Sequence, residues 1–233
     1  VAQVTAPPAR FDRVARIYRA MEVLSFGPML ERCRFHHLPR LRTSRRALVL
    51  GDGDGRFLAR LFSAAPTLRA DAIDGSPAML DLLRKRVSRL GAQDRLTTTC
   101  ADARSLRPQS CDYDLVVTHF FLDCLTEPEA DQLIARLRRH LASGGRWLIS
   151  EFQIPDGGRL RAWFARGVIS ALYAGFRLLT GLTVREIPRW PLLLARHGFT
   201  RKASHSWLGG LLVSEVWELR EATTPMPPAL PPG

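Results

Sequence analysis

In the stretch ALVLGDGDGRFLARL, residues 47–61, three glycines occupy alternate positions, Gly51, Gly53 and Gly55, between an apolar run and a helical pattern. Glycine lacks the Cβ that would hold a ligand off, and the amides of a helix N-terminus point outward, so such a turn is a surface that a nucleotide can approach closely. The spacing departs from the dinucleotide fingerprint Gly-x-Gly-x-x-Gly. Counted from Gly51, the third glycine position holds Arg56; counted from Gly53, it holds Leu58. The intervening residues are Asp52 and Asp54. Two carboxylates repel a pyrophosphate, but they tolerate or attract a ligand without phosphate that carries a sulfonium and an ammonium. S-adenosylmethionine has that chemistry.

Two further acids fall where such a ligand would need them. The run RADAID ends at Asp74, with Gly75 directly after it, about 20 residues beyond the glycine turn, where an α/β nucleotide site places the carboxylate that accepts from both ribose hydroxyls. The segment CADARSL puts Asp102 and Ala103 at the end of the next β-rich run, where Asp102 can accept from an adenine amino group. Taken singly, Asp74 also reads as the cap of the helix opening SPAML, and Asp102 as the start of a turn. Three matched features at successive strand ends favour a site at the carboxyl edge of one sheet.

The elements that must position these residues alternate along the chain. Ala47 to Leu50, Ala70 to Ile73, Leu96 to Thr99, Tyr113 to Val117 and Arg146 to Ser150 read as strands, most of them separated by helical patterns. FTRKASHSW and LLVSEVWEL face each other across Gly209-Gly210 as a C-terminal antiparallel hairpin that closes the sheet. The expected fold is α/β, a doubly wound, mostly parallel seven-stranded sheet of Rossmann-like type. One domain over 10–221 is expected, with a helical cap at 10–40, where Phe11, Val14, Ile17, Tyr18 and Met21 recur at helical spacing. The Pro-rich ends, 1–9 and 222–233, are expected to be disordered tails.

Composition bounds the partners. The 233 residues carry a net charge of +12, and apart from Lys85 and Lys202 the basic residues are all arginine. That balance admits nucleic acid, an anionic membrane surface or acidic small molecules, and equally reflects a GC-rich genome. Cys33, Cys100, Cys111 and Cys124 are far apart with no Cys-x-x-Cys spacing, so neither a disulfide framework nor a metal site is expected. With no signal-peptide pattern and no run long enough to span a bilayer, the chain reads as cytoplasmic, with peripheral membrane contact as the outer limit.

LVLGDGDGRFL, AIDGSPAML, CADARSL and LASGGRWLISEF, in this order and spacing, resemble the successive motifs of class I S-adenosylmethionine-dependent methyltransferases. The resemblance implies that Gly51, Gly53 and Gly55 border the methionine part of the cofactor, Asp74 and Gly75 the ribose, and Asp102 with Ala103 the adenine. Val49 stands where many relatives carry an acid, a role that Asp52 or Asp54 could take over in part. The flanking RFDRVARIYRAMEVLSFG, which includes Tyr18, and GGRWLISEFQIP are similar to stretches of the ubiquinone and menaquinone biosynthesis methyltransferases. The fourth-strand stretch DLVVTHFFLDCL is not the one those enzymes carry.

Transfer of a methyl group from sulfonium requires alignment and, where the acceptor is protonated, a base. His119 is the expected base, and a neighbour of the cofactor, because it ends the fourth strand where donor and acceptor meet; a wall residue that only orients the acceptor is the alternative. Asp123 and Glu151 are the other candidates for proton transfer. The segment 158–194 reads as a lid over the acceptor, with Trp163, Phe164, Ile169, Leu172 and Phe176 among its apolar residues and Arg159, Arg161, Arg166 and Arg177 between them. A small hydrophobic or aromatic acceptor, a quinone or phenol, follows. RNA methylation on the Arg-rich surface is the alternative, although the motifs that hold a flipped base, attack cytosine or centre a lysine tetrad are missing. A non-catalytic module that binds S-adenosylmethionine is the third reading. Oligomeric state is not readable from the sequence.

Overall fold

The computed structural model describes residues 28–106, 108, 110–155, 158, 163, 167 and 187–220. Both expected tails, Tyr18 with the rest of the cap before Pro28, and the lid between 159 and 186 apart from Trp163 and Gly167 lie outside the described residues. In chain order the main elements are α1 Pro28–Phe35, β1 Arg46–Leu50, α2 Arg56–Ala64, β2 Arg69–Asp74, α3 Pro77–Ser88, β3 Leu96–Cys100, β4 Tyr113–His119, α4 Glu127–Arg138, β5 Leu141–Phe152, α5 Trp190–Arg196, β6 Phe199–Trp207 and β7 Leu212–Leu219.

The seven strands form one sheet in the order β3-β2-β1-β4-β5-β7-β6, so the winding reverses between β1 and β4. Five strands are parallel neighbours, and β7 alone runs against them, paired with β5 on one side and β6 on the other. The expected hairpin is therefore present with its antiparallel member inside. The crossover from β5 leaves one strand's width open, β6 enters beyond it, and β7 returns to fill the gap. β5 begins earlier than its sequence suggests, because Leu141 to Gly145 continue the ladder through a register shift opposite Tyr113 and Leu115, with Gly144 at φ 70°. The turn composition of Ser143-Gly144-Gly145 serves an irregular strand rather than a loop.

Burial explains which residues became strands. β1 and β4 lie at the centre and are almost wholly buried, as expected of strands covered on both faces. On one face Leu48, Leu50, Val116, Trp147 and Ile149 pack on Leu133, Ile134 and Leu137 of α4 and Leu193 and Leu194 of α5. On the other, Ala47, Val49, Leu115, Val117 and Leu148 pack on Phe57, Leu58, Leu61 and Phe62 of α2 and Leu83 and Val87 of α3. Helix starts follow local chemistry. Ser76 accepts from the Met79 amide at 3.3 Å to open α3, and Thr126 gives both its amide and its hydroxyl to Glu129 at 2.8 Å to open α4. His197 ends α5 with Nε2 2.9 Å from Asp131, and Gly198 follows at φ 85°. On β6, His205 stacks on His36 with centroids 4.1 Å apart and meets Trp207 edge-on.

Candidate active site

All the parallel strands deliver their C-terminal ends to one edge, and the residues singled out by the sequence collect there. Gly51, Gly53 and Gly55 all adopt left-handed backbone, with φ of 69°, 61° and 79°. The alternate glycines thus follow from the turn itself as well as from ligand access. Gly55 also has no room for a side chain: a Cβ there would lie 2.7 Å from Leu83 Cγ and 2.9 Å from Leu83 Cα. Gly55→Ala is expected to destabilise the fold by about 2–4 kcal/mol, the sum of the left-handed penalty and the clash with the α3 backbone, read as a fall in denaturant midpoint. An unchanged midpoint would contradict this packing.

The two aspartates of the turn are engaged inward. Asp52 accepts from the Leu58 amide at 3.0 Å and so caps α2; burial pushes its carboxyl up to about 7. Asp54 pairs with Arg56 at 3.1 Å and Arg86 at 2.9 Å, which ties the turn to α3. Val49, in place of an acid, is core.

Asp74 ends β2 and holds the turn from the other side. Its Oδ2 accepts from the Gly53 amide at 3.2 Å and its Oδ1 from the Ser76 amide at 2.9 Å. Since Ser76 caps α3, Asp74 is free of that duty. Burial raises its pKa, and the two amides oppose the rise. A Cβ built on Gly75 meets nothing within 4 Å, so the chain beside Asp74 opens onto free space. Asp102 is exposed, accepts from the Arg104 amide at 2.9 Å and begins a single 3-10 turn, with Ala103 buried beneath it. The Ala101 amide donates to the Asp74 carbonyl at 3.2 Å, which binds the second and third strand ends together.

The three candidates for proton transfer do not form one cluster. His119 ends β4 on the face of Val117, where its ring meets Phe57 edge-on at 4.4 Å. It is 4% exposed, and among the described residues neither ring nitrogen has a hydrogen-bond partner. Burial, helped by the Arg34 guanidinium, holds it well below the usual histidine pKa, so it is neutral at physiological pH. Glu151 ends up on the opposite face, in line with Ile149, where its Oε1 accepts from the amides of Phe121 at 2.9 Å and Leu122 at 2.8 Å. Asp123 joins Glu151 there: burial pushes Asp123 up to about 6, and burial together with the charge of Asp123 holds Glu151 well above the ordinary carboxylate range.

Two residues at this edge escaped the sequence reading. Phe57 looked like an ordinary interior position of a helix, and its contact with His119 has no local signal. Phe121 presses its ring on Gly51, with Cδ2 2.8 Å from where a Cβ would stand. Its place directly after a strand end was the available clue. At the other edge of the sheet Arg46, Arg69, Asp71, Asp94, Arg95 and Thr97 line a small polar cleft, which none of these residues reaches.

The arrangement fits S-adenosylmethionine on its own terms. The backbone at Gly53 is open on the side where a Cβ would stand, with Met79 Sδ no nearer than 3.9 Å; Asp74 has lone pairs left over from the Gly53 and Ser76 amides that would suit ribose hydroxyls; and the chain at Gly75 opens onto free space. Among the described residues no group of three His, Cys, Asp or Glu side chains is placed to hold a metal ion.

A family model described as "Methyltransferase domain" matches residues 47–145, from β1 into β5. The chain is 29% identical over 181 residues to the demethylmenaquinone methyltransferase of Thermus thermophilus, covering 72% of this chain and 80% of that protein. It is 23% identical over 186 residues to the ubiquinone/menaquinone biosynthesis C-methyltransferase UbiE of Allorhizobium ampelinum, covering 74% and 71%. Among solved structures, mitomycin 7-O-methyltransferase MmcR shares the fold with a TM-score of 0.64 at 16% identity, over 92% of this chain and 61% of its own. The pyocyanin biosynthetic protein PhzM does so with a TM-score of 0.63 at 19% identity, over 91% and 62%. The chain thus spans about three fifths of each of those two structures. Methyl transfer is what the domain model and these sequence relatives have in common, and together with the seven-stranded fold they support a class I S-adenosylmethionine-dependent methyltransferase.

Proposed function

We propose that the protein methylates a small hydrophobic or aromatic acceptor, a quinol or phenol in character, with His119 as the base. S-adenosylmethionine supplies an electrophilic methyl group on sulfonium. The observation that carries the reading is His119 itself. A buried imidazole whose two nitrogens have no partner among the described residues is costly to keep, and it is neutral, hence able to take a proton, at the strand end beside the glycine turn. His119 would take the proton of an acceptor hydroxyl on an imidazole nitrogen, while the cofactor would give up its methyl group and leave as the demethylated thioether. Phe57, edge-on to that ring, and Phe120, tilted on Phe152 at 5.1 Å, give the neighbourhood an aromatic character that suits an apolar acceptor. The names of the sequence relatives support a quinone-type ring, and the differing fourth-strand stretch argues against an identical one.

Trp163 is 74% exposed and lies in the segment read as a lid. The arginine-rich composition supports peripheral contact with an anionic membrane, where such acceptors partition; no helix among the described residues is long and apolar enough to cross a membrane. The test is turnover with labelled S-adenosylmethionine against quinols, phenols, lipids and RNA. Quinols or phenols are expected to be methylated, and Trp163→Ala to raise the acceptor KM several-fold while cofactor affinity stays within about twofold. Turnover confined to RNA would favour the nucleic-acid alternative, and cofactor binding without turnover on any acceptor would favour a binding module.

A further inference from the structure

Glu151 is fully buried in the last turn of the β5 ladder, and no reacting atom needs to reach it to explain what it does. Its Oε1 is the common acceptor for the amides of Phe121 and Leu122, the second and third residues beyond β4. That exit is tight. Phe120 sits at φ 51°, a left-handed conformation that a residue with a side chain seldom adopts, while its amide donates to the Ser150 carbonyl at 2.7 Å. Such a conformation persists only where the surroundings over-determine it, and the clamp from Glu151 is the nearest restraint on its C-terminal side. One residue on, the Phe121 ring lies against Gly51. A continuous path therefore runs from the Glu151 carboxyl, through two amides and one ring, to the first glycine of the cofactor turn.

We propose that Glu151 is a positioning residue and not a proton carrier: it clamps the exit of β4 so that Phe121 forms the wall of the pocket over Gly51 that receives the sulfonium end of the cofactor. This rests on the family assignment and not on the identity of the acceptor. One oxygen of this buried carboxyl is committed to two amides, the other has no partner among the described residues, and burial and neighbouring Asp123 both disfavour its charge. The aromatic face it positions favours a cation such as sulfonium over an uncharged thioether.

Three variants separate positioning from proton transfer, each read by calorimetry with S-adenosylmethionine and its demethylated product before any acceptor is known. Glu151→Leu, which fills the volume but accepts nothing, is expected to weaken S-adenosylmethionine at least tenfold. Glu151→Gln keeps the carbonyl-type acceptor for both amides and is expected to restore affinity to within about threefold of the parent. Phe121→Ala is expected to reproduce the loss of Glu151→Leu, with S-adenosylmethionine affected more than its uncharged product. Where turnover is measurable, Glu151→Leu should raise the cofactor KM more than it lowers kcat, with the pH profile unmoved. A Glu151→Gln variant with parental cofactor affinity but turnover lower by orders of magnitude would make Glu151 a proton carrier and overturn the proposal. So would parental affinity in folded Glu151→Leu or in Phe121→Ala; should Glu151→Leu fail to fold, the Gln and Phe121 variants still decide. Binding is scored without acceptor, so failure of the quinol reading leaves the result intact.

Discussion

Asp74→Ala is expected to weaken S-adenosylmethionine and its demethylated product alike, by about a hundredfold, because it removes two kinds of hydrogen bond at once. The carboxylate is the acceptor for the Gly53 amide at 3.2 Å and the Ser76 amide at 2.9 Å, and its remaining lone pairs are the acceptors proposed for the ribose hydroxyls. Alanine leaves both amides without that acceptor and loosens the glycine turn just where backbone must meet the cofactor. Asp74→Asn keeps one acceptor oxygen and should fall between the parent and Asp74→Ala. Only the ionised form accepts from both hydroxyls, and burial raises the Asp74 pKa above the ordinary carboxylate value. Cofactor affinity should therefore begin to fall, as the solution is acidified, at a higher pH than a free aspartate would give. Isothermal calorimetry over a pH series tests all of this; a folded Asp74→Ala with parental affinity would remove Asp74 from the site.

His119→Ala should lower kcat by about 10²-fold or more on an acceptor that must lose a proton, while cofactor affinity stays nearly intact. The side chain is unpartnered among the described residues, so its removal breaks no hydrogen bond there, and the loss should appear in turnover rather than in binding. Its pH signature is distinctive. With the pKa held well below 6.5 by burial and by Arg34, the parent's rate should stay level through the pH where an ordinary histidine titrates, and decline only at lower pH. The same shift has a consequence for stability. The unfolded chain binds a proton at this histidine below about 6.5 and the folded chain does not until much lower pH, so stability is complete above that value and is lost as pH falls through the window. His37, lowered to about 4 chiefly by burial while Nε2 lies 3.1 Å from the Ser214 carbonyl, adds a loss of the same sign. Normal turnover of His119→Ala across the pH range would return the residue to a wall that orients the acceptor.

Strands and turns were legible from local chemistry. The first four strands of the sheet and both hairpin strands lie within two residues of their expected bounds, because buried apolar runs end at turn residues, and those signals are complete within a few positions of the chain. Gly51, Gly53, Gly55 and Asp74 were legible for the same reason: a left-handed turn after a strand admits little but glycine, and parallel strands must deliver their ends to one edge. Tyr18 and the body of the lid, also expected from the sequence, fall outside the described residues.

Which face a side chain takes, and what lies across the gap from it, depend instead on the closed fold. His119, Asp123 and Glu151 are close in sequence terms to one strand edge, yet His119 turns to the α2 side and meets Phe57, while Glu151 turns to the α4 side and clamps Phe121 and Leu122. A one-residue difference in strand phase sends side chains to opposite faces, and nothing in residue type records how the phases of β4 and β5 align. Asp52 and Asp54 are equally suited by composition to face a cationic ligand; the Leu58 amide, Arg56 and Arg86 claim them instead, and Arg86 comes from a different helix. The placement of β7 between β5 and β6, and of the Phe121 ring on Gly51, joins residues far apart in the chain. Sequence carries the period and the turn, which are short-range properties of the backbone, whereas partners across the fold are fixed only when the sheet closes and the two faces are packed.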